Sequence, residues 1–287
     1  MNPKKFDYYA PATLREAIRI LHTNEDSKVL AGGQSLLALM KLRLAAPAAL
    51  VDLTAVQDDL SYVRDEKKHL AIGALTSHDT IEHDQKIGRS FPILRDAASK
   101  IGDQQVRNRG TIGGTCCHAD PASDIPTALL ALNPQFVVRG PRGERRIPAS
   151  KFFVDTFTTS VARDEILIEI RIPYLPRGSG SAYVKHSRRE GDFAIVSAGV
   201  ALMPGQKGTC REVRISLGSV AATPIRAREA EDYLKGKRMV EREFEKAAKS
   251  ANTGADPPSD MHGSREYRMD MIEVFTKRAL KLAMSRM

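Results

Sequence analysis

Two glycine pairs, Gly32–Gly33 in the segment AGGQS and Gly113–Gly114 in TIGGT, constrain this chain more than any other feature. The first joins a short strand, Lys28 to Ala31, to a helix over Ser35 to Leu42 that carries Leu36, Leu37, Leu39 and Met40. The second follows the loop DQQVRNRG and precedes a helix through Ala128 to Leu132, for which Ser123 is a candidate cap. Glycine lacks a Cβ and tolerates positive φ, so a glycine turn at a helix start exposes main-chain N–H groups at the range a phosphate needs. Ser35, Thr111 and Thr115 add hydroxyls beside the turns. One glycine pair alone is an ordinary turn signal, whereas two suit a pyrophosphate gripped from both sides. Neither G-x-G-x-x-G nor G-x-x-x-x-G-K-[ST] occurs, so nothing supports a Rossmann site or a nucleoside triphosphatase. The residues by themselves lead to a dinucleotide as candidate ligand and stop there.

The remaining elements mix strands and helices. Thr13 and Glu16 form a capping box ahead of Leu14, Ala17, Ile18 and Leu21, and a helix from Pro92 carries Ile93, Leu94, Ala97, Ala98 and Ile101 up to Gly102. Strands are expected at Leu50 to Leu53 and His69 to Ile72, and as a hairpin around GPRG, Gln135 to Arg139 with Arg145 to Pro148. Ile166, Ile168, Ile170 and Ile172 alternate with polar residues as a half-buried strand. The Pro-Gly-Ser stretch from Pro176 to Gly180 marks a boundary. Beyond it lie three strands, Ala182 to His186, Ala194 to Met203 and Glu212 to Leu217, then helices at Pro224 to Leu234, Glu241 to Ala251 and Ser264 to Met284. The expected fold class is α+β, with a domain over 1–177 and a smaller one over 178–287 built on a three-stranded sheet with helices.

Composition narrows the chemistry. Three cysteines, Cys116, Cys117 and Cys210, are one short of the four thiolates of an iron–sulfur cluster, and no C-x-x-C occurs. Cys116, Cys117 and His118 cluster, but adjacent cysteines chelate one tetrahedral ion poorly, so they are read as packing residues and no metal is expected. The net charge of +9 is spread among 35 acidic residues and aromatics make up 6%, which argues against nucleic acid as the partner. No run approaches the roughly 20 apolar residues that cross a bilayer, and the start lacks a signal peptide's apolar stretch, so no integral membrane segment and a cytoplasmic address are expected.

The wording of the motifs goes further. Ala31-Gly32-Gly33-Gln34-Ser35-Leu36-Leu37 and Arg109-Gly110-Thr111-Ile112-Gly113-Gly114 resemble the paired signatures of the FAD-binding medium subunit of the xanthine oxidase, or molybdenum hydroxylase, family, its aerobic carbon monoxide dehydrogenase branch in particular. The likeness takes in FDYYAPATLREAI, MKLRLAAP, VDL at 51–53, DPASDIPTALLAL at 120–132, AYVKHSRREGDFAIVSAGVAL at 182–202 and REYR at 265–268. It implies a two-subdomain FAD-binding domain of the vanillyl-alcohol-oxidase (PCMH) type, then a carbon monoxide dehydrogenase flavoprotein C-terminal domain. By that analogy AGGQS and TIGGT hold the pyrophosphate of a noncovalent FAD, Asp124 lies near the cofactor, Leu167 lends main chain near the flavin, and Lys185 and Phe193 border the isoalloxazine. A lysine at the flavin N1/C2 edge would favour the anionic reduced form and raise the potential. Thr115 stands where the family has asparagine, exchanging an amide donor for a hydroxyl.

The resemblance also implies partners, namely a large molybdopterin-binding subunit and a small [2Fe–2S] subunit in a dimer of heterotrimers, with this chain as the electron relay and no catalytic residue of its own. Two other readings stay open. A stand-alone PCMH-type flavin oxidase would need a substrate base and pocket that the sequence does not display, and a basic binding or scaffold protein would leave both glycine motifs without purpose.

Overall fold

A computed structural model describes residues 2–287. Near the N-terminus, Asp7–Tyr9, Ala49–Asp52 and Ser27–Leu30 form a parallel three-stranded sheet in that order. The Leu14–Thr23 helix makes the crossover and buries Ala17, Ile18 and Leu21. Thr13 caps it by accepting from the Glu16 N–H at 3.2 Å, while the Glu16 carboxylate accepts from Ala12 rather than Thr13, a capping box stretched by one residue.

Beside this unit stands a five-stranded antiparallel sheet in the order Val63–Asp65, His69–Gly73, Ile166–Pro173, Gln135–Gly140 and Gly143–Pro148. The sequence expectation that four isoleucines line one face of the 166–173 strand is not met. A register shift between Leu167 and Glu169 sends Ile166 and Ile168 into the core shared with the small sheet, and Ile170 and Ile172 into the core beneath the helices. Leu167 sits at that irregularity, buried on the helix side.

The segment DQQVRNRG, expected as a loop, contains the Gln104–Arg109 helix. Its residues are too polar to show an apolar stripe. The helix is held instead by Asp103, which accepts from the Val106 N–H at 2.9 Å, and by side chains reaching the His78–His83 helix: Arg107 to Glu82 at 2.8 Å and Gln104 to Asp79 at 2.5 Å.

After the Pro176–Gly180 connection comes a second antiparallel sheet, Gly180–His186, Val196–Pro204, Cys210–Gly218 and Ile225–Arg226. It has four strands where three were expected. The fourth is two residues long, too short for alternation to reveal, and the helix expected from Pro224 starts only at Arg228. One face meets the Arg228–Leu234, Glu241–Lys249 and Arg265–Met284 helices through Ala198, Val200, Leu202, Ile215 and Leu217. The other face sends Tyr183, Ala201 and Met203 into the core of the first domain. Burial on both sides makes Val196–Met203 a continuously buried run, apolar but for Ser197, rather than an alternating one.

Between the two domains lies the Asp124–Leu132 helix, buried along its whole length. The Ser216 hydroxyl donates to the Thr127 carbonyl at 2.6 Å, and a Cβ on Gly218 would fall 2.1 Å from Thr127 Oγ1 and 2.5 Å from Ser197 Oγ. Gly218→Ala should therefore overpack this seam and destabilise the chain by about 1–3 kcal/mol. The expected readout is a lower denaturation midpoint at unchanged slope; an unshifted midpoint would mean that the seam has slack.

Candidate functional site

The Ala31–Ser35 turn links the parallel sheet to the Leu36–Lys41 helix and runs against the chain just ahead of TIGGT. A Cβ on Gly32 would lie 1.9 Å from the Arg109 carbonyl oxygen and 3.0 Å from Gly110 Cα, and one on Gly114 would lie 3.8 Å from the Ala31 Cβ. The two motifs, distant in sequence, therefore touch. Gly33 has φ +75°, a left-handed conformation that favours glycine, and the Leu37 side chain folds over it. The Gly33 and Ser35 carbonyls accept from Leu37 and Leu39 at 3.2 and 3.1 Å and so start the helix. The N–H groups of Gly32, Gly33, Gln34 and Ser35 donate to no acceptor among the described residues, and the Ser35 hydroxyl makes no capping bond. Four adjacent unpaired donors, with Leu36 opening the helix behind them, form an anion cradle in waiting.

TIGGT is built differently. It does not merely precede a helix but starts one, Ile112–His118, which Thr111 caps by accepting from the Gly114 N–H at 3.1 Å. Ile112 donates to the Thr76 carbonyl at 3.0 Å, Gly113 to Ala74 at 2.8 Å and Thr115 to Thr111 at 3.0 Å. The main-chain donors expected at this second turn are thus already taken. Gly113 is glycine because a Cβ would fall 2.6 Å from the Ala74 carbonyl. TIGGT supplies a close-packed wall, and AGGQS supplies the free donors.

The Thr115 hydroxyl lies 2.8 Å from Nε2 of the buried His78. Burial, assisted by Arg107, pushes the His78 pKa down to about 4, so the ring is neutral at pH 7. Cys116 is part of the core, whereas Cys117 keeps open surface. Enough protein still surrounds Cys117 to push its thiol up to about 12. His118 is half-buried, which lowers its pKa, and its ring packs against that of Phe157 with centroids 5.0 Å apart.

Asp124 and Lys185 form a buried ion pair, Nζ to Oδ1 3.0 Å, with side chains 6% and 2% exposed. Tyr183 donates to Asp124 at 2.5 Å, and Lys185 also donates to the carbonyls of Lys100 at 2.7 Å and Asp192 at 2.8 Å. Burial raises the Asp124 pKa above the usual carboxylate range, against the pull of Lys185 and Tyr183. All three ammonium protons have partners, so the lone cation suggested by sequence is a neutralised pair whose field is that of a dipole. Phe193 is 64% exposed and lines an open recess of about 1240 Å³ with Ala122, Thr156, Arg188 and Asp192. Tyr183 and the recess-lining Thr156 escaped sequence reasoning. Tyr183 falls in an ordinary strand run, and Thr156 reaches the recess only because the 153–159 hairpin folds back.

Comparison with known proteins follows the same division of the chain. Residues 4–175 match the family described as FAD binding domain in molybdopterin dehydrogenase, and residues 181–283 match the CO dehydrogenase flavoprotein C-terminal domain. The chain is 38% identical over 287 residues to the 6-hydroxypseudooxynicotine dehydrogenase complex subunit alpha of Paenarthrobacter nicotinovorans, covering 100% of this chain and 97% of that one. It is also 38% identical over 288 residues to the carbon monoxide dehydrogenase medium chain of Hydrogenophaga pseudoflava, covering 100% and 99%. The solved structure of carbon monoxide dehydrogenase from that organism superposes with a TM-score of 0.96 at 39% identity, over 100% of this chain and 99% of the other. Quinoline 2-oxidoreductase from Pseudomonas putida 86 superposes at 0.93 with 34% identity, over 99% of each chain.

Two substitutions probe this geometry. Gly32→Ala should drive the loops apart, cost about 1–3 kcal/mol and lose the bound cofactor. Gly88→Ala, whose added methyl meets only Arg95 at 3.5 Å within a helix, should leave binding intact; equal flavin absorbance in both variants would refute the contact. His78 titrates at about 4 when folded against its ordinary 6.5, so its contribution is present above pH 6.5 and is lost as pH falls towards 4. The loss amounts to roughly 3 kcal/mol at most. His78→Gln should flatten the unfolding midpoint across that window, and an unchanged acid slope would place the titration elsewhere.

Proposed function

The chain belongs to the family of FAD-binding medium subunits of molybdopterin dehydrogenases, which makes it a flavoprotein oxidoreductase subunit, and from that premise we propose that it relays electrons from a [2Fe–2S] partner subunit to an acceptor outside the complex. In this reading a large molybdopterin-binding subunit oxidises the substrate, a small subunit carries the clusters, and the assembly is a cytoplasmic dimer of heterotrimers. Several relatives are named as subunits or chains of dehydrogenases, which supports a shared division of labour. So does the disposition of the thiols, since Cys116 and Cys210 are buried and leave Cys117 as the one exposed cysteine. Among the described residues no helix is long and apolar enough to cross a membrane.

Bound FAD supplies the reversible two-electron chemistry that this chain's side chains lack. The unpaired N–H groups of Gly32, Gly33, Gln34 and Ser35 would hold the pyrophosphate, and the Ser35 hydroxyl would add a further donor. Thr111, Gly113, Gly114 and Thr115 form the opposite wall, kept dense by the absence of Cβ atoms. Leu167 would lend its main chain at the strand irregularity, and the exposed Phe193 would border the isoalloxazine. Lys185, paired with Asp124, holds the Asp192–Phe193 segment beside the site. The binding is proposed to be noncovalent, in keeping with burial that pushes the Cys117 thiol up to about 12 and leaves it a poor nucleophile.

The single observation that carries this reading is the contact at Gly32, which brings a row of unpaired donors against a wall built from the second motif. Affinity purification of the native complex through a tag on this chain tests it. The expected material shows the visible bands of oxidised flavin, releases intact FAD on denaturation, and co-elutes with iron and molybdenum. A colourless chain, or a flavoprotein that oxidises substrate alone without either metal, refutes the relay.

A further inference from the structure

The Leu36–Lys41 helix that begins in the donor turn ends in an arrangement its own stability does not explain. Arg43 has φ +61°, in the left-handed region that favours glycine. Its N–H donates to Met40 at 3.0 Å, and the Leu44 N–H donates to Leu39 at 2.9 Å, the paired bonds of a Schellman cap. In such a cap the residue in Leu44's place commonly packs back on the helix. Here Leu44 is 74% exposed, Leu42 is 57% exposed, and Leu37, which covers Gly33, is 38% exposed. Lys41 and Arg43 are exposed among these leucines and form no ion pair with any described residue. Backbone strain is thus accepted at a non-glycine residue in order to hold leucines in water, which gains the isolated chain nothing.

We propose that the Leu37–Leu44 segment is the docking surface for the electron-donating partner subunit, which meets it with an apolar pocket rimmed by carboxylates. The inference rests on the relay reading above. Two unpaired cations around an apolar centre call for an acidic rim, and clustered anchors ringed by polar groups are how binding energy concentrates in interfaces. A second copy of this chain is a poor occupant, because a twofold contact would bring Lys41 and Arg43 against their own equivalents. The place also adjoins the cofactor cradle. Leu37 touches the glycine turn on one side and solvent on the other, so a subunit seated there lies directly outside the cradle.

The test compares the wild-type chain with the double variant Leu42→Glu/Leu44→Glu, both tagged and purified with their native partners. Neither leucine belongs to the cradle, so the free variant should keep the flavin spectrum and unfolding midpoint of the wild type. Recovery of the iron-bearing subunit should fall about tenfold or more. As a measurement independent of any substitution, hydrogen exchange at residues 42–46 of the wild type should slow in the complex relative to the free chain. A variant that still recovers the full complement of iron, with exchange at 42–46 unchanged on assembly, overturns the surface while leaving the relay intact. A free wild-type chain that dimerises, with the variant monomeric and still able to recover iron, overturns it in favour of a second copy. A wild-type chain that brings down neither flavin nor iron overturns the relay reading and this surface with it.

Discussion

The approach of Gly32 to the Arg109 carbonyl is the contact on which the rest of the architecture turns. A methyl group there would need space that the main chain already occupies. Because the approach is main chain to main chain, no rotamer change can relieve it, and the Ala31–Ser35 turn is held where the N–H groups of Gly32 to Ser35 find no acceptor among the described residues. Unsatisfied donors at a helix start are tolerated only where water or an anion can reach them. The small parallel sheet exists to deliver that turn, and the five-stranded sheet with its helices exists to present the wall against which it stops.

Glycine means two different things in the two motifs. At Gly33 it permits a positive φ that aims donors outward, and at Gly113 it lets the TIGGT segment close on Ala74. Sequence reading treats both pairs as anion turns because the letters are alike, and the hydrogen bonds of TIGGT become visible only once Ala74 and Thr76 are known to lie beside it. The same limit explains the Gln104–Arg109 helix. Its stabilising partners Asp79 and Glu82 are remote in sequence, so local polarity suggests a loop. Elements with an apolar period of their own, such as Leu14–Thr23 and Pro92–Ser99, are legible within a residue or two, because their burial is written in the spacing of Ala17, Ile18 and Leu21 or Ile93, Leu94, Ala97 and Ala98.

The candidate site was legible to the same degree. Resemblance singles out Asp124, Lys185 and Phe193, but it says nothing of charge balance or exposure. A strand lysine viewed alone suggests either a solvated side chain or a free cation, whereas Lys185 is buried and paired with Asp124. Phe193 precedes an apolar strand and has the look of core, yet it projects into the recess. Exposure of a large aromatic beside a cavity is a property of the surrounding loops, and no periodicity encodes it.

The Asp124–Lys185 pair is best understood as a knot between domains. Removing two charges from water is costly unless every proton and lone pair finds a partner. Here Lys185, on the first strand of the C-terminal sheet, is satisfied by the first turn of the interdomain helix, by the Lys100 carbonyl beyond the Pro92–Ser99 helix, and by the Asp192 carbonyl next to Phe193. Loss of any one partner would leave a buried charge short of a bond, so the three move together or not at all. The segment bearing Phe193 is thereby coupled to the helix that also packs on Gly199 and Gly218, and a shift of the C-terminal sheet must be felt at the recess. Two domains recognisable as separate family units are thus joined beside the recess by a charge pair whose two members come one from each.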